Sequence, residues 1–285
     1  MILSQNNNDF PSKLKQTKMS RLYLKGNMDL LKNKSVAIVG SRRLSEYGKD
    51  SALKFSKYLS KEGYTIISGL AIGVDSCAHL GALDGEGKTI AVLPSGINKI
   101  YPRENLMLAE RIVQQGGLLL SEYEDNCEVQ LKSFPKRNEL ITLLSDAILI
   151  VEAGEKSGST ITARLGFKHR IPVFCVPGRI DDIKSKGTNL LLSQGANIAF
   201  NPQMIIDYLE SEMAPNEIHK SDTEFEKLND ESDGIYGLIN YKPKSIDEIA
   251  KSVELSIPAI SERLLILEIN GAIKKLPGEK YVLSN

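Results

Sequence analysis

The sequence has no excess of either charge. Its 285 residues include 36 lysines and arginines and 36 aspartates and glutamates. A nucleic-acid-binding role therefore cannot be argued from total charge, and any basic surface has to be local and balanced by acidic residues elsewhere. Apolar residues make up 41% of the chain, so the sequence can build a packed core and global disorder is not expected.

Cysteine and histidine are scarce, with three of each. Cys77, Cys127 and Cys175 have no metal-ligand spacing, and an odd, scattered set argues for a reducing compartment rather than a disulfide framework. The histidines are too dispersed to indicate a zinc site. No apolar run reaches the roughly 18 residues of a membrane span, and the polar N-terminus lacks a signal-peptide core. We therefore expect a cytoplasmic protein without a membrane partner.

Short apolar runs alternate with helix-length segments over most of the chain. Each run is rich in β-branched residues and ends at Gly, Pro or Ser. Continuous apolar strands alternating with helices predict an α/β fold, in which helices cover both faces of a parallel sheet. Such sheets bind ligands beyond the carboxyl ends of their strands. The predicted strands are VAIVG, YTIISG, KTIAVL, GGLLLSEY, DAILIVEA and IPVFCVPG.

Composition divides the chain into four parts. The polar N-terminus predicts a loose arm, and RLYLKG, directly after it, predicts a short edge strand. A later segment with eight acidic and two basic residues predicts a solvated linker. The C-terminal part has the order helix, helix, turn, helix, hairpin, which is typical of a winged helix, and its Ser245 and Glu248 have capping-box spacing. The predicted parts are an N-terminal arm over 1–20, a sheet domain over 21–210, a linker over 211–233 and a winged helix over 234–285.

The turn after the first predicted strand, GSRRLSEYG, is suited to an anion. A strand that leads into a helix N-terminus supplies free N–H groups and the positive end of the helix dipole. The turn matches neither GxGxxG nor GxxxxGK[ST], and no acidic residue follows the second strand to hold a ribose, so dinucleotide binding is disfavoured. Arg42 and Arg43 suit a phosphate through bidentate, charge-assisted bonds. The alternative is that both arginines pair with surface carboxylates.

Two further segments have residue types suited to single-stranded nucleic acid. KSFPKRNELIT places Lys132, Lys136 and Arg137 around Phe134, which offers charge for phosphates and a ring for a base. The alternative is a core position for Phe134 with the cations on a solvated loop. EAGEKSGSTITA predicts an anion-tolerant helix start beside Lys156, or else a plain Gly/Ser cap. Several such turns along one sheet edge suit a polymer better than a single nucleotide.

No set of catalytic residues is recognisable. Glu122 and Glu152 each end a strand without a partner that the sequence identifies. In SGLAIGVDSCAH, Gly69 permits close backbone approach. We expect Asp75 to cap the helix that follows and His79 to pack in the core.

Eight motifs follow one another along the chain: VAIVGSRR, IISGLAIGVDSCAHLGAL, KTIAVLPSGINKIYPREN, GGLLLSEY, FPKRNELIT, EAGEKSGSTITA, VPG and KGTNLLLSQGA. In this order and spacing they resemble the DNA-processing protein A (DprA/Smf) family. The resemblance covers about residues 21–207, and the C-terminal part looks like the winged-helix domain of many members.

The resemblance implies an extended Rossmann-like fold with no enzymatic activity, cofactor or metal. Members bind single-stranded DNA, form homodimers, protect incoming DNA and load the RecA recombinase onto it during natural transformation. By motif, Arg42 is the DNA-binding arginine, Phe134 the base-stacking aromatic and Lys156 a basic contact. The implied dimer surface contains Leu190, Leu191 and Ile198. With the neighbours in the same turns, the candidate DNA-binding residues are Gly40, Ser41, Arg42, Arg43, Gly69, Lys132, Phe134, Lys136, Arg137, Asn138, Lys156, Ser157, Gly158 and Ser159.

Two other functions compete with this one. Rossmann-like phosphoribohydrolases cleave nucleotide N-glycosidic bonds with a PGGxGTxxE motif, but the comparable stretch here, EAGEKSGSTITA, lacks that pattern and its glutamate. Alternatively, the winged helix reads duplex DNA. Its candidate recognition helix, SIPAISERLLILEING, has Arg263 as its only cation. That is little for phosphate contact, so a protein-binding or structural role is favoured for the winged helix.

Overall fold

A computed structural model describes residues 1–15, 17, 19–155, 157–211, 235–239, 243–253, 255–269 and 272–283 of the protein. The chain divides into two compact units, Met1–Ser211 and Glu212–Asn285. Across the described ranges, no helix combines the length and the apolar character needed to cross a membrane.

The first unit is a nine-stranded sheet between layers of helices. Its strands are β1 (Ile2–Ser4), β2 (Arg21–Gly26), β3 (Ser35–Val39), β4 (Thr65–Ser68), β5 (Thr89–Leu93), β6 (Leu118–Ser121), β7 (Ala147–Ile150), β8 (Val173–Cys175) and β9 (Asn197–Ile198). Its α-helices are α1 (Glu46–Lys61), α2 (Val74–Asp84), α3 (Leu106–Gln114), α4 (Ser133–Leu144), α5 (Gly158–Lys168), α6 (Lys186–Ser193) and α7 (Gln203–Ser211). The six strands predicted from apolar runs are β3 to β8, and all six are confirmed.

The strand order reverses at the neighbouring strands β3 and β7, which leaves a crevice beyond their carboxyl ends. The order is β1-β2-β6-β5-β4-β3-β7-β8-β9, with every pair from β6 to β9 parallel. The chain builds outward from β3 to β6 and then returns to the other side of β3 with β7. Such a reversal of direction is the point where open α/β sheets bind ligands, because the loops after the two strands lead to opposite faces.

The helices cover both faces of the sheet, as the sequence predicts. Along β3, Val36 and Ile38 pack with α1, α2 and α7, whereas Ala37 and Val39 pack in a cluster that includes α4 and α5. All four side chains are at most 5% exposed. A strand buried on both faces has to be continuously apolar, which explains the VAIV run.

The prediction of a loose N-terminal arm is wrong for its described residues. β1 pairs with β2 in an antiparallel register that places Ile2 opposite Tyr23. Phe10 and Leu14 are buried in the same cluster as α4. β2 therefore lies between β1 and β6 and is not the edge strand that the sequence predicts. The segment is polar on average, but it buries Leu3, Phe10, Leu14 and Met19.

The second unit has the predicted order of a winged helix. Its core contains Ile249, Ile260 and Leu264. Ser245 and Glu248 form the predicted capping box. A short strand that the sequence analysis did not predict joins the hairpin in a three-stranded sheet. Residues 212–233, nearly all of the predicted linker, lie outside the described residues. The elements are α8 (Ile235–Leu238), β10 (Lys244–Ser245), α9 (Ile246–Ala250), α10 (Ile257–Ile269), β11 (Ile273–Leu276) and β12 (Lys280–Leu283).

Leu14→Ala tests whether the N-terminal segment is part of the core. Leu14 is fully buried, so truncation is expected to lower the free energy of unfolding by about 2–5 kcal/mol. Ile2→Ala is the control, because Ile2 is 60% exposed, and it is expected to change that free energy by less than about 0.5 kcal/mol. Urea denaturation measures both. A Leu14→Ala effect as small as that of the control would mean that the segment does not contribute to the core.

Candidate nucleic-acid interface

A cleft of about 450 Å³ lies at the carboxyl ends of β3 and β7. We call it the switch-point cleft. Three segments that are distant in sequence form most of it, namely the turn after β3, the first half of α4 and the start of α5. It brings together most of the candidates that the sequence predicts. Its lining includes Gly40, Ser41, Arg42, Arg43, Phe134, Arg137, Asn138, Ser157, Gly158 and Ser159, together with Ala71, Asp75, Pro135, Ile141, Ile161 and Thr162.

Four candidates lie elsewhere or outside the described residues. Lys132 and Lys136 are exposed at the start of α4 but do not line the cleft. Burial raises the pKa of the Glu122 carboxyl, and the positive charge of Lys136 opposes that shift. Gly69 is buried and lines a smaller adjoining cleft of about 70 Å³, which we call the side cleft. Lys156 lies outside the described residues.

Arg42 and Arg43 are exposed cations. In the described part of the chain, neither has a carboxylate within 4.0 Å, so the alternative of surface ion pairs is not what this structure shows. The Arg42 guanidinium carbon lies 5.4 Å from the centroid of the Phe134 ring, within cation–π distance. The Arg43 amide donates to Ser41 Oγ at 3.1 Å. Both positive charges are therefore available to an anionic ligand.

The turn that carries these arginines is fixed at both ends. At its start, the Val74 amide donates to the Ser41 carbonyl at 3.1 Å. At its end, the Ser45 amide donates to Glu152 Oε2 at 3.0 Å, and the Ser45 hydroxyl also binds that carboxylate. Glu152 is 1% exposed. The carboxylate for which the sequence shows no partner thus joins the end of β7 to the N-cap of α1.

Phe134 does not take the core position that was the alternative to a base-stacking role. It is half-buried, and it lies in the first turn of α4. Its ring meets Tyr101 edge-on, with centroids 5.8 Å apart at an angle of 70°. Phe134 lines both clefts, and Tyr101 lines the side cleft. Tyr101 lies within the IYPREN motif, but nothing in the sequence marks it as a site residue.

Arg137 is not on a solvated loop. It is 6% exposed and lies on the face of α4 that also carries Leu140, Ile141 and Leu144. These positions have the i, i+3, i+4, i+7 spacing of a buried helix face, so Arg137 points where an apolar residue is usually found. Its Nη1 donates to the carbonyls of Gly69 and Val92, and its Nε donates to Asn138 Oδ1 at 3.0 Å.

Asp75 does not cap α2 as the sequence predicts, because the N-cap residue is Gly73. The Asp75 carboxylate instead accepts from the amides of Gly69 at 3.2 Å and Ala71 at 3.4 Å. Burial raises the pKa of Asp75, and Arg137 and these amides oppose that shift. Burial likewise lowers the pKa of Arg137, opposed by Asp75. Each buried charge thus stabilises the ionised form of the other.

His79 is a core residue, as predicted. Its Nδ1 lies 2.7 Å from Thr89 Oγ1, and burial lowers its pKa to about 3.

Among the dimer candidates, Leu190 and Ile198 are 39% and 43% exposed. Leu191 is 2% exposed and belongs to the core, so its assignment to a dimer surface is wrong. Its side chain points inward because α6 is amphipathic and packs its apolar face on the sheet.

Gly73→Ala tests the contact between the two turns. Gly73 has φ +97°, and a Cβ there would collide with the Ser41 carbonyl and lie 2.8 Å from the Arg42 Cα. Gly63 is the control, because it has φ +87° and open space around it. Gly63→Ala is expected to cost about 1–2 kcal/mol of backbone strain. Gly73→Ala is expected to cost a further 1–3 kcal/mol, roughly, from overpacking. Equal losses in urea denaturation would contradict the contact.

Comparison with known proteins agrees with this architecture. The family model for DNA recombination-mediator protein A matches residues 1–210, and the DprA winged helix domain model matches residues 220–279. Protein Smf of Escherichia coli is 35% identical over 263 residues, which is 90% of this chain and 70% of that protein. DNA processing protein DprA of Bacillus subtilis is 38% identical over 189 residues, which is 66% of this chain and 63% of that protein.

Two solved structures are similar to the chain over about three quarters of its length. DNA processing protein A from Streptococcus pneumoniae has a TM-score of 0.69 and 36% identity, and the match covers 73% of each chain. DNA processing protein A from Helicobacter pylori, studied for its unique single-stranded DNA binding mode, has a TM-score of 0.66 and 36% identity, covering 74% of this chain and 97% of that one. The chain therefore belongs to the DNA recombination-mediator protein A family, also named DprA or Smf.

Proposed function

We propose that the chain binds single-stranded DNA in the switch-point cleft and acts, without catalysis, as a recombination mediator. One observation carries the proposal: an exposed arginine, with no carboxylate partner among the described residues, lies beside a half-buried aromatic ring in a cleft at the sheet's switch point. A cation for the phosphate and a ring for the base are what single-stranded nucleic acid requires. The H. pylori relative, whose structure was studied for single-stranded DNA binding, supports the same ligand class here.

In the proposed mode, two elements bind phosphate from opposite sides of the cleft. Arg42 and Arg43 supply side-chain charge after β3. The start of α5, at Ser157, Gly158 and Ser159, supplies amide groups at the positive end of the helix dipole. Lys132 and Lys136 extend the positive surface along the exposed start of α4. This arrangement contacts the phosphate backbone, which is common to all sequences.

The base-stacking step involves Phe134. Because the Arg42 guanidinium lies over this ring, a base that stacks on the same side displaces it. The displaced guanidinium remains within the cleft, where a phosphate replaces the ring as its partner. Stacking is tolerant of sequence because every base has a π-face. We therefore expect sequence-tolerant binding.

The downstream role is a proposal as well. Membership of a recombination-mediator family supports delivery of the bound strand to RecA and protection of incoming DNA. For a homodimer, the remaining surface candidates are Leu190 and Ile198. Ile198 lies on β9, the outermost strand on its side of the sheet, and Phe200 just beyond it is 63% exposed.

Arg42→Ala is expected to weaken binding to oligo-dT by roughly 10- to 100-fold, because a charge-assisted hydrogen bond to phosphate is lost. The slope of log affinity against log salt should shrink in magnitude by about 0.7, the contribution of one phosphate contact on a single strand. Arg111→Ala is the matched control. It also removes one exposed arginine, but one that pairs with Asp84 at 2.7 Å and does not line the cleft. Fluorescence anisotropy over a salt series measures both variants, and equal affinities for the two would contradict the assignment.

Phe134→Leu separates stacking from charge. The variant keeps an apolar side chain but loses the ring, so affinity for oligo-dT is expected to fall by about 1–3 kcal/mol. The salt slope should stay that of the wild type, since no phosphate contact is removed. Phe167→Leu is the control, because it makes the same change at a phenylalanine of α5 that is 37% exposed and does not line the cleft. An unchanged affinity for Phe134→Leu would show that the ring does not bind a base.

A further inference from the structure

The turn between β4 and α2 is held between two buried, oppositely charged side chains. The Arg137 Nη1 donates to the Gly69 carbonyl, and the Gly69 amide donates to Asp75 Oδ2 at 3.2 Å. Arg137 and Asp75 are each 6% exposed. Gly69 leaves no space for a side chain, since a Cβ there would overlap the Arg137 guanidinium and lie 2.8 Å from Asp75 Oδ2. The two charges therefore bind both polar groups of Gly69.

The backbone that follows Gly69 is in an unfavourable conformation. Leu70 has φ +56°, which is uncommon for a residue other than glycine, and its side chain is fully buried. Such conformations persist only where surrounding contacts fix them. Here the carbonyl before Leu70 is bound by Arg137, and the amide after it, that of Ala71, donates to Asp75 at 3.4 Å.

The same turn supports the arginine turn after β3. Gly73 lies so close to Ser41 and Arg42 that a Cβ would not fit, and the Val74 amide binds the Ser41 carbonyl at 3.1 Å. A continuous set of backbone contacts thus leads from the buried pair, through residues 69–74, to Arg42. If the turn between β4 and α2 moves, the arginine turn after β3 loses these contacts.

We propose that Arg137 and Asp75 are positioning residues that act on the DNA through Arg42. The inference rests on the proposed function, since it assigns a role within the same binding site. It differs from a direct role for Arg137 as a phosphate ligand, which its place in the lining of the switch-point cleft also suggests. Its Nε and Nη1 are committed to Asn138 and to two backbone carbonyls, which favours the positioning role.

A double-mutant cycle with Arg42 distinguishes the two roles. Arg137→Met is expected to weaken oligo-dT binding by roughly tenfold or more, up to the loss caused by Arg42→Ala, because the proposed role acts on the DNA through Arg42. The double variant should then bind as weakly as Arg42→Ala alone and with the same salt slope. A further loss in the double variant, with a slope smaller again by about 0.7, would show a phosphate contact by Arg137 itself and overturn the proposal.

A second readout does not use DNA. Amide hydrogen exchange reports local opening, so peptides covering 68–75 and 40–45 should both exchange faster in Arg137→Met than in the wild type. Arg111→Met is the control and should leave both segments unchanged. Faster exchange confined to 68–75 would break the proposed link to Arg42. Arg137→Lys keeps the charge and one donor, and it should recover part of the affinity and of the protection.

Asp75→Asn covers the case in which Arg137→Met does not fold. The amide keeps one oxygen acceptor for the Gly69 and Ala71 amides but loses the charge that faces Arg137. Asp75→Asn should therefore weaken oligo-dT binding when Arg42 is present and have no effect on it in the Arg42→Ala background. Wild-type protein that fails to bind oligo-dT would refute the proposed function, whereas wild-type binding with additive Asp75 and Arg42 effects would refute only this inference.

Discussion

The contact between Gly73 and the backbone of Ser41 and Arg42 determines where the cleft has its cation. Parallel strands bring the turns after β3 and β4 to one edge of the sheet, but strand order alone does not fix a side chain. The position of the arginine turn is fixed by Gly73, at φ +97°, and by the Val74 amide, which donates to the Ser41 carbonyl. On the other side, Glu152 holds Ser45. The arginine turn is thus preorganised by the turn after β4 on one side and by Glu152, after β7, on the other.

A chain with no net charge can still present a locally positive cleft, because the two buried carboxylates behind its arginine turn are already bound to backbone amides. Asp75 and Glu152 lie behind the arginine turn, and both accept hydrogen bonds from backbone amides. They neutralise partial positive charge at turn and helix ends rather than pairing with Arg42 or Arg43. Formal charge balance and a locally positive cleft are therefore compatible.

The sequence predicts those features that depend on short-range periodicity. The six apolar runs became β3 to β8, and the Ser245 capping box formed. The features it failed to predict depend on tertiary contact. Leu14 buries because α4 lies nearby, which a polar average hides. Arg137 was assigned by its charge, although its spacing from Leu140, Ile141 and Leu144 indicates the buried face of α4. Tyr101 joins the site only because its ring meets Phe134.

The departure of GSRRLSEYG from a dinucleotide fingerprint has a physical consequence. In GxGxxG turns, glycines let the backbone approach a pyrophosphate, and an acidic residue holds the ribose. Here side chains reach outward from the turn, and the cation rests on an aromatic ring. A backbone nest suits a phosphate that enters deeply, as the end of a small ligand does. An outward arginine, with exposed Lys132 and Lys136 at the start of α4, suits a nucleic-acid strand that continues past the cleft. In the proposed mode, the same switch point of the sheet therefore serves a polymer instead of a cofactor.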